Sequence, residues 1–370
     1  MKKINLSIVL EDVRVGGPQK QLIYFLNSIS FFKYNIVLII PNKNNKSFKK
    51  LISNSNIKIV ETQISIPSIR NILGYILFFC KEIYKLKDIL KTFNTDIIYV
   101  PGGTISFKTI FVAKILNLKA VWHIHDCKSN VIIRKIFQSI SKKNIQTIFA
   151  SEKSRYYYLK KFRDKSHVIR SSVNTKTFNK KIKKTSRKIR VALIANINPD
   201  KNIKLFFDIV SKNKNKNISF LMFGNIWNSQ RKYFNKLVNE YPRALSKIKW
   251  YKNEFDHFKI YKKIDLLVCT SKTESFPLIF SEALSFSIPI ITTNVGDVEI
   301  FKKINKKFSY IINDNDSSKF LNKFNFFLKN KTVFNSYRKN SREYAKNNLD
   351  INVFIKRITN IFENFLDKKI

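Results

Sequence analysis

Short apolar runs, many of them β-branched, alternate with longer amphipathic stretches along the whole chain. INLSIVL (4–10), YNIVLIIP (34–41), IKIVET (57–62), DIIYVP (96–101) and KAVWHIH (119–125) read as strands, followed by TIFASE (147–152) and HVIRSSV (167–173). Residues 16–29, 69–93, 104–117 and 130–142 read as helices, the first with Pro18 in its opening turn, where a fixed φ and a missing N–H do no harm. Nearly continuous apolar strands separated by helices specify a parallel sheet covered on both faces. Residues 176–188, KTFNKKIKKTSRK, are polar, basic and aperiodic, and read as a linker. The pattern then restarts: strands at 190–196, 218–224, 247–252, 265–271 and 288–294, helices at 201–212, 228–240, 256–262, 317–346 and 350–369. The expected fold class is therefore α/β, with two Rossmann-like domains (1–175 and 189–348) facing each other across a cleft. A final helix, 349–370, is expected to pack back toward the first domain. Ligands of such sheets lie outside the carboxyl ends of the strands, where the strand order reverses.

Composition narrows this picture. The 370 residues suffice for two domains, and 44% hydrophobic content is incompatible with wholesale disorder. Seventy Lys and Arg against 25 Asp and Glu give a net charge of +45, which attracts polyanions and anionic membranes. The lysines are dispersed, and no RNP-type strand, zinc-finger spacing or helix-turn-helix signature appears, which argues against a nucleic-acid partner. Cys80, Cys127 and Cys269 are odd in number and far apart, as expected of free thiols in a reducing compartment. The opening MKKINLSIVLEDVRVGG has too short an apolar run for a signal peptide, and no stretch reaches the roughly 18 apolar residues that span a bilayer. A cytoplasmic enzyme, peripheral on the inner face of an anionic membrane, is the expectation. Helix 69–93, apolar, aromatic and basic together, suits either a core-facing stripe or a membrane surface.

Glycine is scarce, and six of the seven (Gly16, Gly17, Gly102, Gly103, Gly224 and Gly296) fall at or shortly after strand ends; only Gly74 is inside a helix. Close to one such end lies TESFPLIFSEAL (273–284), where Glu274 and Glu282 stand eight residues apart. Glu274 falls in a strand-to-helix loop, Pro277 suits the start of the helix, and Glu282 lies about one and a half turns in. The N–H groups and partial positive charge of the helix start make an anion site for a diphosphate. Acids complementing a helix dipole would account for the same spacing.

The run SKTESFPLIFSEALSFSIPIITTNVGD, from Ser271 to Asp297, resembles the donor-site signature of the retaining glycosyltransferases of the GT-B fold, family-4 (glycosyl transferases group 1) type. That resemblance implies that Glu274 binds hydroxyls of the transferred sugar, Glu282 the nucleotide ribose, and Ser275, Phe276, Pro277 and Leu278 the sugar and diphosphate. VRVGGPQKQL (13–22) is similar to the N-terminal loop of the family, with Gly16 and Gly17 toward the donor phosphates and acceptor. WHIHD (122–126) resembles the strand-end His-Asp of the acceptor domain, with His125 on the donor sugar or reacting centre. LIANINPDKN (193–202) puts Lys201 at the position of the lysine that meets the diphosphate. Asn196 stands where the family has arginine, so one of two expected cations is missing, worth a few kcal/mol of transition-state stabilisation on the order of one oxyanion donor. Tyr251 replaces a glycine of the base-binding loop.

The implied function is a retaining transfer from a UDP- or GDP-linked sugar to a glycan or lipid-linked acceptor in bacterial surface polysaccharide synthesis. No cofactor and no metal are implied, and no candidate for a covalent nucleophile is visible. The alternatives are a GT-B nucleotide-sugar epimerase, against which the Glu274–Glu282 spacing argues, and a catalytically weakened protein of the same fold that binds polyanions or membrane.

Overall fold

The structure is a computed structural model and describes residues 3–66, 72–141, 144–159, 166–178, 188–254, 256–304 and 307–367. It divides into two compact units: Met1–Ser171 with Ile351–Ile370, and Ser172–Asp350. Most of the expected linker, residues 179–187, lies outside the described residues.

Unit 1 is built on seven strands: β1 (Ile4–Val9), β2 (Tyr34–Pro41), β3 (Lys58–Thr62), β4 (Ile97–Gly102), β5 (Lys119–Ile124), β6 (Ile145–Phe149) and β7 (Ser166–Val168). All pair in parallel, in the order β3-β2-β1-β4-β5-β6-β7, so the order reverses between β1 and β4. The helices are α1 (Gly17–Leu26), α2 (Lys46–Lys49), α3 (Ile72–Thr92), α4 (Phe107–Ile115), α5 (Val131–Ile140) and α6 (Glu152–Leu159). Strand alternation explains the layering. Leu6, Ile8, Leu38, Tyr99 and Val121 face one side, with Leu22 and Phe25 of α1. Val9, Ile39, Val100 and Trp122 face the other, with Leu86 of α3, Ile110 of α4 and Phe137 of α5. Beneath α3 and α4, Lys108 and Glu82 form a fully buried ion pair. Lys108 also donates to the Ser65 carbonyl (2.6 Å) and Ser65 Oγ (2.9 Å) and lies 4.0 Å from the Tyr75 ring centroid, so the buried cation is satisfied on all sides.

Unit 2 has six parallel strands: β8 (Ile189–Ile194), β9 (Ile218–Phe223), β10 (Ile248–Tyr251), β11 (Leu266–Cys269), β12 (Ile290–Thr293) and β13 (Ser309–Ile312). Their order is β10-β9-β8-β11-β12-β13, reversing between β8 and β11. Its helices are α7 (Ile203–Lys212), α8 (Arg231–Glu240), α9 (Pro242–Ser246), α10 (His257–Lys263), α11 (Leu278–Ser285), α12 (Ser317–Lys329) and α13 (Lys331–Asn348). The core is rich in phenylalanine, with Phe206, Phe220, Phe324 and Phe334 buried together.

The last helix, α14 (Ile351–Asp367), returns to unit 1. Its stripe of Phe354, Ile358, Ile361, Phe362 and Phe365 enters the same cluster as Leu6 and Phe25. The Phe354 ring meets Phe25, and Phe362 meets Tyr34 and Tyr99. At about 2 kcal/mol for each buried side chain of this size, the helix is part of the core and not an appendage.

Candidate functional site

In unit 2 the two loops at the strand-order reversal meet. After β8, Asn198 caps a 3-10 turn, Pro199–Lys201, its Oδ1 accepting from Lys201 N at 3.1 Å. The chain then passes through Asn202 in the left-handed region, φ 48°, and enters α7. After β11, Thr270 Oγ1 donates to the Lys201 carbonyl (2.9 Å) and Lys272 N to the Asp200 carbonyl (2.7 Å), locking the loops together. This places the Lys201 ammonium against the Glu274 carboxylate, which also accepts from Ser271 Oγ at 2.9 Å. Burial pulls the Lys201 pKa down, but the charge and hydrogen bond of Glu274 more than offset it, and the net shift is upward. The lysine is therefore firmly charged. In the empty site the two residues expected to hold different parts of a ligand hold each other.

Pro277 is the N-cap of α11 and not its first residue, and no side chain caps the helix. Of the expected loop contacts, Ser275, Phe276 and Leu278 are buried. Phe276 packs its ring against Phe280 and Phe301. These residues present backbone to a ligand, with their side chains anchoring the loop from below. Glu282 is 1% exposed. Its Oε2 accepts from Tyr261 Oη (2.7 Å), and Oε1 lies 2.9 Å from His257 Nδ1. Both partners come from α10, and neither was singled out from the sequence: nothing in HFKIY announces a carboxylate partner twenty residues on. The expected ribose contact thus starts from a carboxylate whose oxygens are both engaged within the chain.

Asn196, at the position of the missing arginine, is exposed, and its Oδ1 accepts from Asn225 N at 3.1 Å. It ties the loop after β8 to the loop after β9, a job for an acceptor that a guanidinium cannot do. Gly224, φ 139°, lies so close to this loop that a Cβ would run into the Ala195 carbonyl oxygen. Gly296, φ 52°, is closer still: a Cβ there would run into the Ser275 carbonyl. With Thr293 Oγ1 donating to the Ser271 carbonyl (2.5 Å), the end of β12 braces the Glu274 loop from behind.

In unit 1, Gly16 caps α1, with Gln19 Oε1 reaching back to its N–H at 3.1 Å. A side chain on Gly17 would meet nothing within 4 Å, so packing does not demand that glycine. His125 follows β5, its N–H donating to the Gly102 carbonyl (2.9 Å) and its ring 4.2 Å from that of His123. Burial lowers the His125 pKa to about 4, so the imidazole is neutral near pH 7. His123 is fully buried, bonded through Nδ1 to Tyr99 Oη at 2.8 Å and packed on Phe354. Asp126 Oδ2 accepts from Thr104 N (2.6 Å) and Thr104 Oγ1 (2.9 Å). A cavity of about 210 Å³ opens beside these groups, lined among others by Glu11, Gln19, Gly102, Gly103 and Asp126. Among the described residues, no group of three or more His, Cys, Asp or Glu could hold a metal ion, and no helix is long and apolar enough to cross a membrane.

Residues 174–348, which are nearly all of unit 2, match the family model described as Glycosyl transferases group 1. No curated protein matches the chain by sequence. Solved structures match it over its whole length. A glycosyltransferase from Rickettsia africae superposes with a TM-score of 0.83 at 17% identity, covering 100% of both chains. Anabaena Alr3699/HepE, in complex with UDP and glucose, gives 0.80 at 14%, covering 97% of this chain and 99% of that one. The apo form of the lipopolysaccharide outer core galactosyltransferase WaaB gives 0.70 at 15%, covering 98% and 100%. The shared architecture is that of the GT-B fold, a doubled Rossmann-like unit.

Proposed function

From the premise that residues 174–348 place this chain among the glycosyl transferases of group 1, we propose that unit 2 binds a UDP- or GDP-linked sugar and that the protein transfers the sugar with retention of configuration. The observation that carries this reading is the Lys201–Glu274 pair at the strand-order reversal of unit 2. A diphosphate entering beside Lys201 exchanges one carboxylate partner for a more highly charged anion, and the freed Glu274 turns to the sugar hydroxyls. The HepE structure, which holds UDP and glucose, supports the ligand class.

The bond between the anomeric carbon and the diphosphate oxygen breaks as the acceptor hydroxyl attacks from the same face. The acceptor proton passes to the leaving phosphate, giving a glycoside and a nucleoside diphosphate. Lys201 and the N–H groups at the start of α11 stabilise the departing charge, and no metal enters this scheme. His125 enters as a neutral hydrogen-bonding group. Glu282 reaches a ribose hydroxyl by releasing His257, keeping Tyr261 as its second partner. The acceptor is a glycan or a lipid-linked glycan of a bacterial surface polysaccharide. The lipid-linked form is favoured by α3, which turns Leu73 and Leu77 outward with 74% and 77% of their surface exposed. That apolar face, on a chain of net charge +45, suits the inner surface of an anionic membrane.

Calorimetric titration with UDP, GDP and their sugars, paired with a transfer assay, tests the reading. One nucleotide sugar should bind, and Lys201→Ala should weaken it about tenfold to a hundredfold, the worth of one hydrogen bond to a charged group. Failure of every donor to bind, or an unchanged affinity in Lys201→Ala, would falsify it.

A further inference from the structure

The cavity of unit 1 at the ends of β1, β4 and β5 runs against the composition of the chain. In a protein with 70 Lys and Arg against 25 Asp and Glu, its lining among the described residues holds Glu11, Asp12 and Asp126 and no Lys, Arg or His. Glu11 is 4% exposed. Its Oε1 accepts from Thr109 N (3.0 Å) and Thr109 Oγ1 (2.8 Å), while its Oε2 is buried without a hydrogen-bond partner. Burial pushes its pKa up to about 7, against the hydrogen bonds of Thr109 and the charge of Lys108, so near neutrality the free oxygen carries a proton much of the time. A buried polar atom left unpaired costs about 1–3 kcal/mol, and its place in a cavity wall marks where a partner belongs.

Across the cavity, Asp126 is anchored by Thr104 and fills the space a side chain on Gly103 would need, with a Cβ 2.7 Å from its Oδ2. The remaining walls include Leu10, Pro18, Pro101 and Ile105, which suit the C–H faces of a sugar ring. The volume of about 210 Å³ has room for about seven waters. Desolvated carboxyls with no cation among them repel an anion and exchange hydrogen bonds with hydroxyls.

We infer that this cavity binds an uncharged sugar ring, the terminal residue of the acceptor, through its hydroxyls to Glu11 Oε2 and Asp126, and that it rejects carboxylated or phosphorylated sugars. The word acceptor rests on the transfer reading above; the binding chemistry does not.

The full-length protein, titrated with methyl glycosides of glucose, galactose and N-acetylglucosamine, is followed by saturation-transfer NMR. Glucuronate serves as the anionic probe, glucosamine as the cationic one, and nucleotide affinity is measured in parallel. A neutral glycoside should bind and glucuronate should not. Glu11→Leu should weaken that binding by about tenfold or more, with nucleotide affinity unchanged. Glu11→Gln, whose amide N–H stands where the protonated oxygen stood, should retain it and so controls for folding. Unaltered binding in Glu11→Leu, tighter binding of glucuronate or glucosamine, or no glycoside bound by a protein that does bind its nucleotide each overturns the proposal. Glycoside binding by a protein that takes no nucleotide would sustain the cavity and remove the donor reading, so the two fail separately.

Discussion

A charge in a sparsely acidic protein is defined by its partner, and Lys201 and Glu11 are opposite cases. Lys201 has a carboxylate and stays charged; Glu11 has only hydrogen-bond donors and a distant cation, and tends to neutrality. The second case has a measurable consequence. The Glu11 pKa rises from 4.5 to about 7 on folding, so the folded state holds a proton that the unfolded chain releases across that interval. The contribution to stability is full below the lower value and disappears as pH rises through the upper one. Glu11→Gln has no proton to lose. Its stability relative to the unsubstituted protein should therefore improve from pH 5 to pH 8, by about 3 kcal/mol for a shift of this size. Urea denaturation at the two pH values checks this; a difference independent of pH would show that the carboxyl keeps its ordinary pKa. Lys108 and Glu82, which face Glu11, are common to both proteins and cancel in the comparison.

Elements are where sequence and structure correspond most closely. β2 occupies 34–41 as read, and the first five strands of unit 1 end within a residue of expectation, because apolar runs bounded by polar turns leave little choice. α6 was not anticipated: EKSRYYYL carries no apolar stripe and buries Ser154, Tyr158 and Leu159 only through its neighbours. β13, SYII at the edge of its sheet, is too short and half-buried to signal itself. The loops show the same divide. The glycine after β12 was visible in the sequence, but its purpose, to let that loop lie against the Ser275 carbonyl, depends on a contact 21 residues away. Gly296→Ala, at φ 52° with no space for a Cβ, should displace the Glu274 loop and cost roughly 1–3 kcal/mol of stability. Donor affinity should fall with it, as measured by calorimetry beside a thermal melt; a variant with unaltered melting and affinity would mean the loop is not braced by this contact. The Lys201–Glu274 and Glu282–His257 pairs were likewise illegible, since no pattern links side chains 73 or 25 residues apart.

For the whole molecule, net charge and surface apolarity act together. Leu73, Ile76 and Leu77 of α3 are exposed on a protein of charge +45. The full-length protein should sediment with vesicles containing phosphatidylglycerol and far less with neutral ones, and added salt should release most of it. A Leu73→Ser/Leu77→Ser variant should bind the anionic vesicles several-fold more weakly, because each buried CH₂ is worth about 0.8 kcal/mol. Equal sedimentation of variant and parent would assign the attraction to charge alone.

The return of α14 to unit 1 also sets an order of events during synthesis. The face of the first sheet that carries Leu6 and Ile8 stays uncovered until Phe354, Phe362 and Phe365 have left the ribosome. Unit 2, contained between Ser172 and Asp350, has its own core complete before that point. The half of the protein that is translated first is therefore the half that finishes folding last, inverting the usual sequence for a nascent chain.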